Sequence, residues 1–97
     1  MKLTLLSRAY CHLCDEMLAE VEPMARACGV TVDVIDVDAP PHAALEAEWG
    51  DRVPALFAGE PRAGNLLCHY RLDRDLVARA LSPRAAREGR AVGGNPL

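Results

Sequence analysis

The sequence predicts one α/β domain in which a four-stranded mixed sheet is flanked by three helices, in the order β-α-β-α-β-β-α. Three observations support this fold class. Short apolar runs rich in β-branched residues alternate with stretches of helical periodicity. A Cys-x-x-Cys motif stands where the first helix begins, and turn-forming residues separate the last two strands. With 97 residues and a hydrophobic content of 51%, the chain is long enough for a single core without stabilising metals or multiple disulfides.

The first part of the chain reads as a β-α-β unit. Residues 2–6 form a short apolar run of the kind found in strands that are covered on both faces. Residues 30–37 are rich in β-branched side chains and predict a second strand. Between them, apolar residues recur every three or four positions along a helix that begins at Cys11 and ends near Cys28. A helical connection of this length predicts that the two strands are parallel.

Proline and capping signals refine the helices. Pro23 removes one backbone hydrogen bond from the first helix, so we expect a kink or a break near Glu22. Asp38 is placed to act as the N-cap of a second helix over residues 40–49. Two prolines suit the first turn of that helix, and Gly50 suits its end.

The second part of the chain predicts two strands and a helix. Residues 52–58 form the third strand, with Pro54 near its start because proline cannot donate within a sheet interior. Residues 66–70 form the fourth strand, and the short connection between the two predicts an antiparallel hairpin. Asp73 is the expected N-cap of a last helix that ends at Leu81.

Composition and charge set the domain boundary and exclude some partners. Residues 83–97 show no pattern that would bury a face, so we place one domain at residues 1–82 and a flexible C-terminal tail after it. The formal net charge is −3, and because the tail carries +2 the domain carries −5. An acidic domain argues against a nucleic-acid partner, and no segment predicts a signal peptide or a membrane anchor. We therefore expect a cytoplasmic protein without membrane partners.

Two of the four cysteines form the motif Cys11-His12-Leu13-Cys14. The start of a helix favours a thiolate on the first of them, and the spacing lets the second sulfur close a disulfide within one turn. Such a pair in a cytosolic chain is redox-active or metal-binding, but a structural zinc site needs further ligands at matching spacing, which this chain lacks. We expect Cys28, on the apolar helix stripe, and Cys68, within a strand, to be buried.

The segment from Ser7 to Cys14, together with Val53-Pro54 at the third strand, resembles the thioredoxin superfamily and, within it, the small bacterial glutaredoxin-like proteins. The resemblance spans residues 1–82. It implies a thioredoxin-like fold and the activity of a thiol-disulfide oxidoreductase. It also implies protein or low-molecular-weight disulfides as substrates, no tightly bound cofactor and no metal, and glutathione as a co-substrate or a thioredoxin reductase as the source of electrons.

The resemblance also assigns roles to individual residues. Cys11 corresponds to the nucleophile and Cys14 to the resolving thiol. Pro54 corresponds to a cis proline that faces the two thiols, and the backbone of Val53 to the strand that pairs with substrate. Arg8 corresponds to a basic residue that binds a glutathione carboxylate. The substrate contacts implied in this way are Arg8, Tyr10, Val53 and Pro54.

The chain departs from the glutaredoxin pattern at three places. Arg52 stands where a threonine precedes Val-Pro, and His12 stands where the motif has a proline. The Gly-Gly-x-Asp segment that holds the γ-glutamyl end of glutathione is replaced by residues 69–73, of which only Asp73 is a partial match. The resemblance is therefore complete for the dithiol and incomplete for the glutathione site.

Two other functions compete with thiol-disulfide exchange. One is a metal or iron-sulfur carrier that uses Cys11 with an external thiol, although the second cysteine of the motif counts against it. The other is a peptide-binding module that keeps the fold and docks a partner beside Val53-Pro54 without redox turnover.

Overall fold

The computed structural model describes residues 1–82, and the predicted flexible tail lies outside the described residues. The predicted order of elements is confirmed. The strands and helices are β1 (Lys2–Ser7), α1 (His12–Ala27), β2 (Thr31–Asp36), α2 (Ala43–Trp49), β3 (Ala55–Ala58), β4 (Leu66–His69) and α3 (Arg74–Leu81). Short 3-10 turns, Pro40–His42 and Gly50–Arg52, flank α2.

The four strands form one mixed sheet in the order β2-β1-β3-β4. β1 pairs parallel with β2, with Leu5 opposite Val34, as the helical connection predicts. β1 pairs antiparallel with β3, with Leu5 opposite Leu56, and β3 pairs antiparallel with β4, with Leu56 opposite Cys68. β2 is thus an edge strand, and the exposed side chain of Val34 lies on it.

Side chains of β1 belong to two hydrophobic clusters, one on each face of the sheet. Leu3 and Leu5 pack with α1 and α3, whereas Leu6 packs with the cluster around α2. Thr4 is also buried, and its hydroxyl donates to the carbonyl of Gly59 at 2.6 Å. Because both faces of β1 are covered, buried residues stand at four consecutive positions, Leu3 to Leu6, instead of at alternate ones.

The first helix does not break at Pro23 but continues for 16 residues, from His12 to Ala27. Pro23 and Ala19, the residue whose carbonyl loses its helical donor, are both exposed. Water can therefore reach the freed carbonyl, and the packed stripe on the opposite face holds the helix together. The predicted break near Glu22 is wrong.

Two other details of the sequence interpretation are wrong. Cys28 is exposed. The helix α1 ends at Ala27, one residue before it, and the chain turns away at Gly29, where φ is 70°. Asp38 does not cap the second helix, whose preceding 3-10 turn has Ala39 at its N-cap without a side-chain hydrogen bond. The carboxylate of Asp38 lies instead beside a guanidinium described below.

The predicted cap of the last helix is confirmed and yields a stability prediction. Asp73 Oδ1 accepts from the backbone N–H of Leu76 at 3.1 Å. We expect Asp73→Ala to lower the free energy of unfolding by about 1 kcal/mol, because it removes this bond. Urea denaturation measures the change, and Arg74→Ala, an exposed neighbour, is the matched control. Equal midpoints for the two variants would show that the cap contributes nothing.

Candidate active site

The sheet brings four chain segments together at the end where β1, β2 and β4 finish and β3 begins. This end of the strands is called the sheet edge below. Leu6, near the end of β1, lies opposite Ala55 at the start of β3, which in turn lies opposite His69 at the end of β4. Ser7 lies opposite Asp36 at the end of β2. The segments that leave or enter the sheet at this edge are therefore residues 7–14, 36–38, 52–54 and 69–73.

The two cysteines of the motif lie where α1 begins. Cys11 is the N-cap residue, with φ of −113°, and its sulfur accepts from the backbone N–H of Cys14 at 3.1 Å. The two sulfurs form a disulfide. Cys11 is partly accessible, whereas Cys14 is 1% exposed. Cys11 is therefore the more accessible of the two residues, and the N–H that its sulfur accepts would stabilise a negative charge there.

Arg8 lies between two carboxylates of its own chain. Its Nη2 is 3.6 Å from Asp38 Oδ1 and 3.5 Å from Glu46 Oε2. Among the described residues, neither its Nε nor its Nη2 has a hydrogen-bond partner, although both atoms are buried. The pairs tie the segment after β1 to the end of β2 and to α2. The residue that the resemblance assigns to a glutathione carboxylate is thus already neutralised by acidic side chains.

The Val53-Pro54 peptide bond is cis, as the resemblance implies. Pro54 is buried, and its carbonyl accepts from the backbone N–H of Tyr70 at 2.8 Å, which ties the start of β3 to the segment after β4. Arg52, which stands in place of the family's threonine, has its guanidinium 4.1 Å from the centre of the Trp49 ring. Arg52 therefore packs on α2 through a cation-π contact.

Two tyrosines at this edge have left-handed backbone conformations. Tyr10 has φ of 59° and is fully exposed next to Cys11. Tyr70 has φ of 66°, remains 43% exposed, and its hydroxyl donates to the carbonyl of Asp51. Non-glycine residues in this region are uncommon and concentrate at functional sites. The resemblance implies Tyr10 as a substrate contact and gives Tyr70 no role of its own, only a place within residues 69–73; the pairing of β3 with β4 brings Tyr70 to this edge.

A groove of about 230 Å³ lies between α1 and the connection from β4 to α3. The wall formed by α1 consists of Leu13, Glu16, Met17 and Glu20. The opposite wall consists of Tyr70, Arg71 and Leu72. Leu13 stands between the two cysteines in sequence, so the groove begins within the motif itself. The resemblance already sets residues 69–73 across from the cysteine pair, but the α1 wall of the groove was not predicted, because the two walls are 50 or more residues apart in the chain.

The two cysteines outside the motif differ in their surroundings. Cys68 is half-buried and packs against the core cluster that includes Leu3. Burial raises the pKa of its thiol, an effect opposed by a backbone hydrogen bond at Asp73. Cys28 is exposed, and both thiols are free. The expectation of a buried Cys68 is thus met only in part.

This difference predicts unequal labelling. We expect iodoacetamide at neutral pH to modify Cys28 at least about 10-fold faster than Cys68. The thiolate is the form that reacts, and at Cys68 burial suppresses both the formation of the thiolate and the access of the reagent. Peptide mass spectrometry over a time course measures the two rates. Faster modification of Cys68 would contradict the packing described above.

Residues 1–82 contain no group of three or more histidine, cysteine, aspartate or glutamate side chains arranged to hold a metal ion. In that same part of the chain, every helix is too short or too polar to cross a bilayer.

Comparisons with known proteins agree with this fold. Protein Ne2328 from Nitrosomonas europaea, solved in solution by NMR, is 37% identical, with a TM-score of 0.70 over 84% of this chain and 91% of that chain. Thioredoxin 1 from the thermophilic eubacterium Thermosipho africanus is 17% identical, with a TM-score of 0.60 over 93% of this chain and 99% of that chain, which shows a shared fold. A comparison with curated proteins finds none that matches.

A family model supplies the assignment. The model of the Glutaredoxin-like domain (DUF836) matches residues 2–82, which contain every strand and helix described above. The resemblance seen in the sequence and the solved structures point the same way. The chain is therefore a small glutaredoxin-like protein of the thioredoxin superfamily and belongs to the DUF836 family.

Proposed function

We propose that the protein is a thiol-disulfide oxidoreductase whose reacting groups are Cys11 and Cys14. The observation that carries the proposal is their unequal environment. Cys11 is partly exposed and its sulfur accepts a backbone N–H at the start of α1, while Cys14 is buried within reach of it. This arrangement suits one sulfur for attack on an external disulfide and the other for resolution of the product.

The reaction moves two electrons and two protons to the substrate. The Cys11 thiolate attacks one sulfur of a substrate disulfide, and the substrate bond breaks to release a thiolate that takes a proton from water. Cys14 then loses its proton and attacks Cys11, which releases the second substrate thiol and leaves the Cys11-Cys14 disulfide. An external dithiol or two monothiols reduce that disulfide by the same exchange.

The substrates are proposed to be protein or low-molecular-weight disulfides. Tyr10 and the backbone at Val53-Pro54 are proposed to contact them, since both lie at the sheet edge that carries the motif. Glutathione is the weaker reductant candidate because Arg8 already pairs with two carboxylates and Asp73 caps α3. Reduction by a thioredoxin reductase or by another protein dithiol would not require Arg8 or Asp73.

We place this activity in residues 1–82 and in a reducing compartment such as the cytoplasm. The family model ends at residue 82, which supports the first point. An exposed free thiol at Cys28 supports the second, because an oxidising compartment would pair or oxidise it.

Reduction of insulin disulfides tests the proposal and identifies the reductant. Catalytic amounts of the full chain are mixed with insulin and supplied with dithiothreitol, with glutathione and glutathione reductase, or with NADPH and a thioredoxin reductase. We expect turnover with dithiothreitol and little with glutathione. No acceleration over reductant alone in any of the three mixtures would overturn the proposed function.

A further inference from the structure

The groove between α1 and the connection from β4 to α3 has walls of unlike character. Its apolar lining is small: Leu13 and Leu72 are partly exposed, whereas Met17 is almost completely covered. Glu16 and Glu20 lie along the α1 wall, and both are exposed. Arg71, also exposed, lies on the opposite wall. A molecule in this groove would therefore meet mainly polar and charged surface, with smaller apolar contacts at Leu13 and Leu72.

The charges of the groove have no ion-pair partners within residues 1–82. The ion pairs found there involve Lys2, Arg8 and Arg26, and none includes Glu16, Glu20 or Arg71. Glu16 and Glu20 are four residues apart on one helix face, where like charges repel. Two carboxylates against one guanidinium leave the groove with a net negative charge, which a cationic ligand would complement.

The length of the groove fits a short extended segment. From Leu13 to Glu20 the helix rises about 10 Å, which matches about three residues of extended chain. The groove begins between the two cysteines, so a segment lying in it would continue directly from a substrate cysteine bonded to Cys11. Its backbone carbonyls would face Arg71 as hydrogen-bond acceptors, and its side chains would face the glutamates.

We propose that this groove binds the basic peptide segment that flanks the reacting cystine of a protein substrate. The inference rests on the proposed function and names its substrate class. Lysine or arginine within about three residues of the substrate cysteine pairs with Glu16 and Glu20, and an apolar side chain contacts the partly exposed Leu13. Anionic disulfides such as oxidised glutathione are correspondingly poor substrates.

The test compares two peptides that differ only in charge. Each carries one cysteine as its neutral 2-pyridyl disulfide, flanked by lysines in one peptide and by glutamates in the other. Release of pyridine-2-thione reports attack by the reduced full chain. At low ionic strength we expect the lysine peptide to react about 10-fold faster, within the range of electrostatic steering, and the ratio to shrink in high salt.

Charge-removing variants assign the preference to the groove. Glu16→Gln/Glu20→Gln is expected to bring the ratio of the two rates close to 1. The ratio is used because Glu16 is in the second turn of the helix that begins after Cys11, where its charge acts on both rates alike. The matched control is Glu48→Gln/Asp75→Asn, which removes two exposed carboxylates outside the groove and should keep the preference. Arg71→Glu should increase it.

A binding measurement separates this inference from the proposed function. The same peptides with serine in place of cysteine cannot react, and NMR titration of the labelled full chain detects their binding at residues 13–20 and 70–72. Tighter binding of the lysine peptide supports the groove even if no peptide is reduced. Equal rates together with equal binding of both peptides, or a preference for the glutamate peptide, would overturn the inference while leaving the redox function intact.

Discussion

Cys11→Ser is expected to reduce the rate of disulfide reduction by about 10³-fold or more, because a serine hydroxyl is scarcely ionised and cannot replace the thiolate nucleophile. Cys14→Ser is expected to stop the cycle one step later. Its Cys11 still attacks, but no second thiol resolves the product, so a covalent complex with substrate accumulates. Non-reducing electrophoresis and intact-mass spectrometry detect that complex.

Cys28→Ser is the matched control for both variants. Cys28 is free, exposed and outside the site, so its replacement should leave turnover and complex formation unchanged. Circular dichroism verifies that Cys14→Ser, which changes a buried position, is folded. Full activity in Cys11→Ser, or a substrate complex that forms through Cys28 or Cys68, would refute the assignment of the nucleophile.

The largest effect on stability is expected for Phe57→Ala. Phe57 is fully buried and meets the Trp49 ring edge-on, with the ring centres 5.0 Å apart. The substitution removes this contact and opens a cavity beneath α2, at a cost of about 3–5 kcal/mol in the free energy of unfolding. Because small domains have only about 5–15 kcal/mol in total, the variant should be close to unfolding without denaturant.

Urea denaturation followed by far-ultraviolet circular dichroism measures this loss. Val34→Ala is the control, because Val34 is apolar and lies in the same sheet but is 46% exposed on the edge strand. We expect a change of about 0.5 kcal/mol or less for the control. Similar losses for the two variants would contradict the packing of α2 on the sheet.

The element order could be predicted because each element carries a local signal. The stripe formed by Met17, Val21 and Ala25 identifies α1, and all three side chains are buried. Asp73 marks the start of α3 by a hydrogen bond made within four residues. Signals of this kind depend only on neighbours in the chain, so they can be recognised without knowledge of the fold.

The predictions for Cys28 and Asp38 are wrong because contacts between elements, and not the local pattern, decide where these side chains lie. Cys28 continues the helical stripe by spacing, but whether the stripe is covered there depends on where the chain turns at Gly29. Asp38 has a side chain suited to an N-cap, yet its carboxylate lies beside the guanidinium of Arg8 instead. Both outcomes depend on contacts between elements that periodicity does not encode.

Only the part of the candidate site that lies within one stretch of the chain could be predicted from residue spacing. Cys11 and Cys14 are neighbours in the chain, so their proximity follows from spacing alone. Tyr70 and Arg71 reach the site only through the pairing of β3 with β4, and the carboxylate of Glu46 reaches Arg8 only because α2 packs beside β1. The sequence therefore identifies the thiol pair and, through the resemblance, the segment 69–73, while the α1 side chains that complete the groove require the fold.

The most direct test of the central claim is a single-turnover count of thiols. The reduced full chain is mixed with an equimolar protein disulfide in the absence of other reductants, quenched in acid, and analysed by differential alkylation and mass spectrometry. We expect one Cys11-Cys14 disulfide to form for each substrate disulfide that is lost, while Cys28 and Cys68 remain free. An intact substrate disulfide, or oxidation confined to Cys28 and Cys68, would contradict the account.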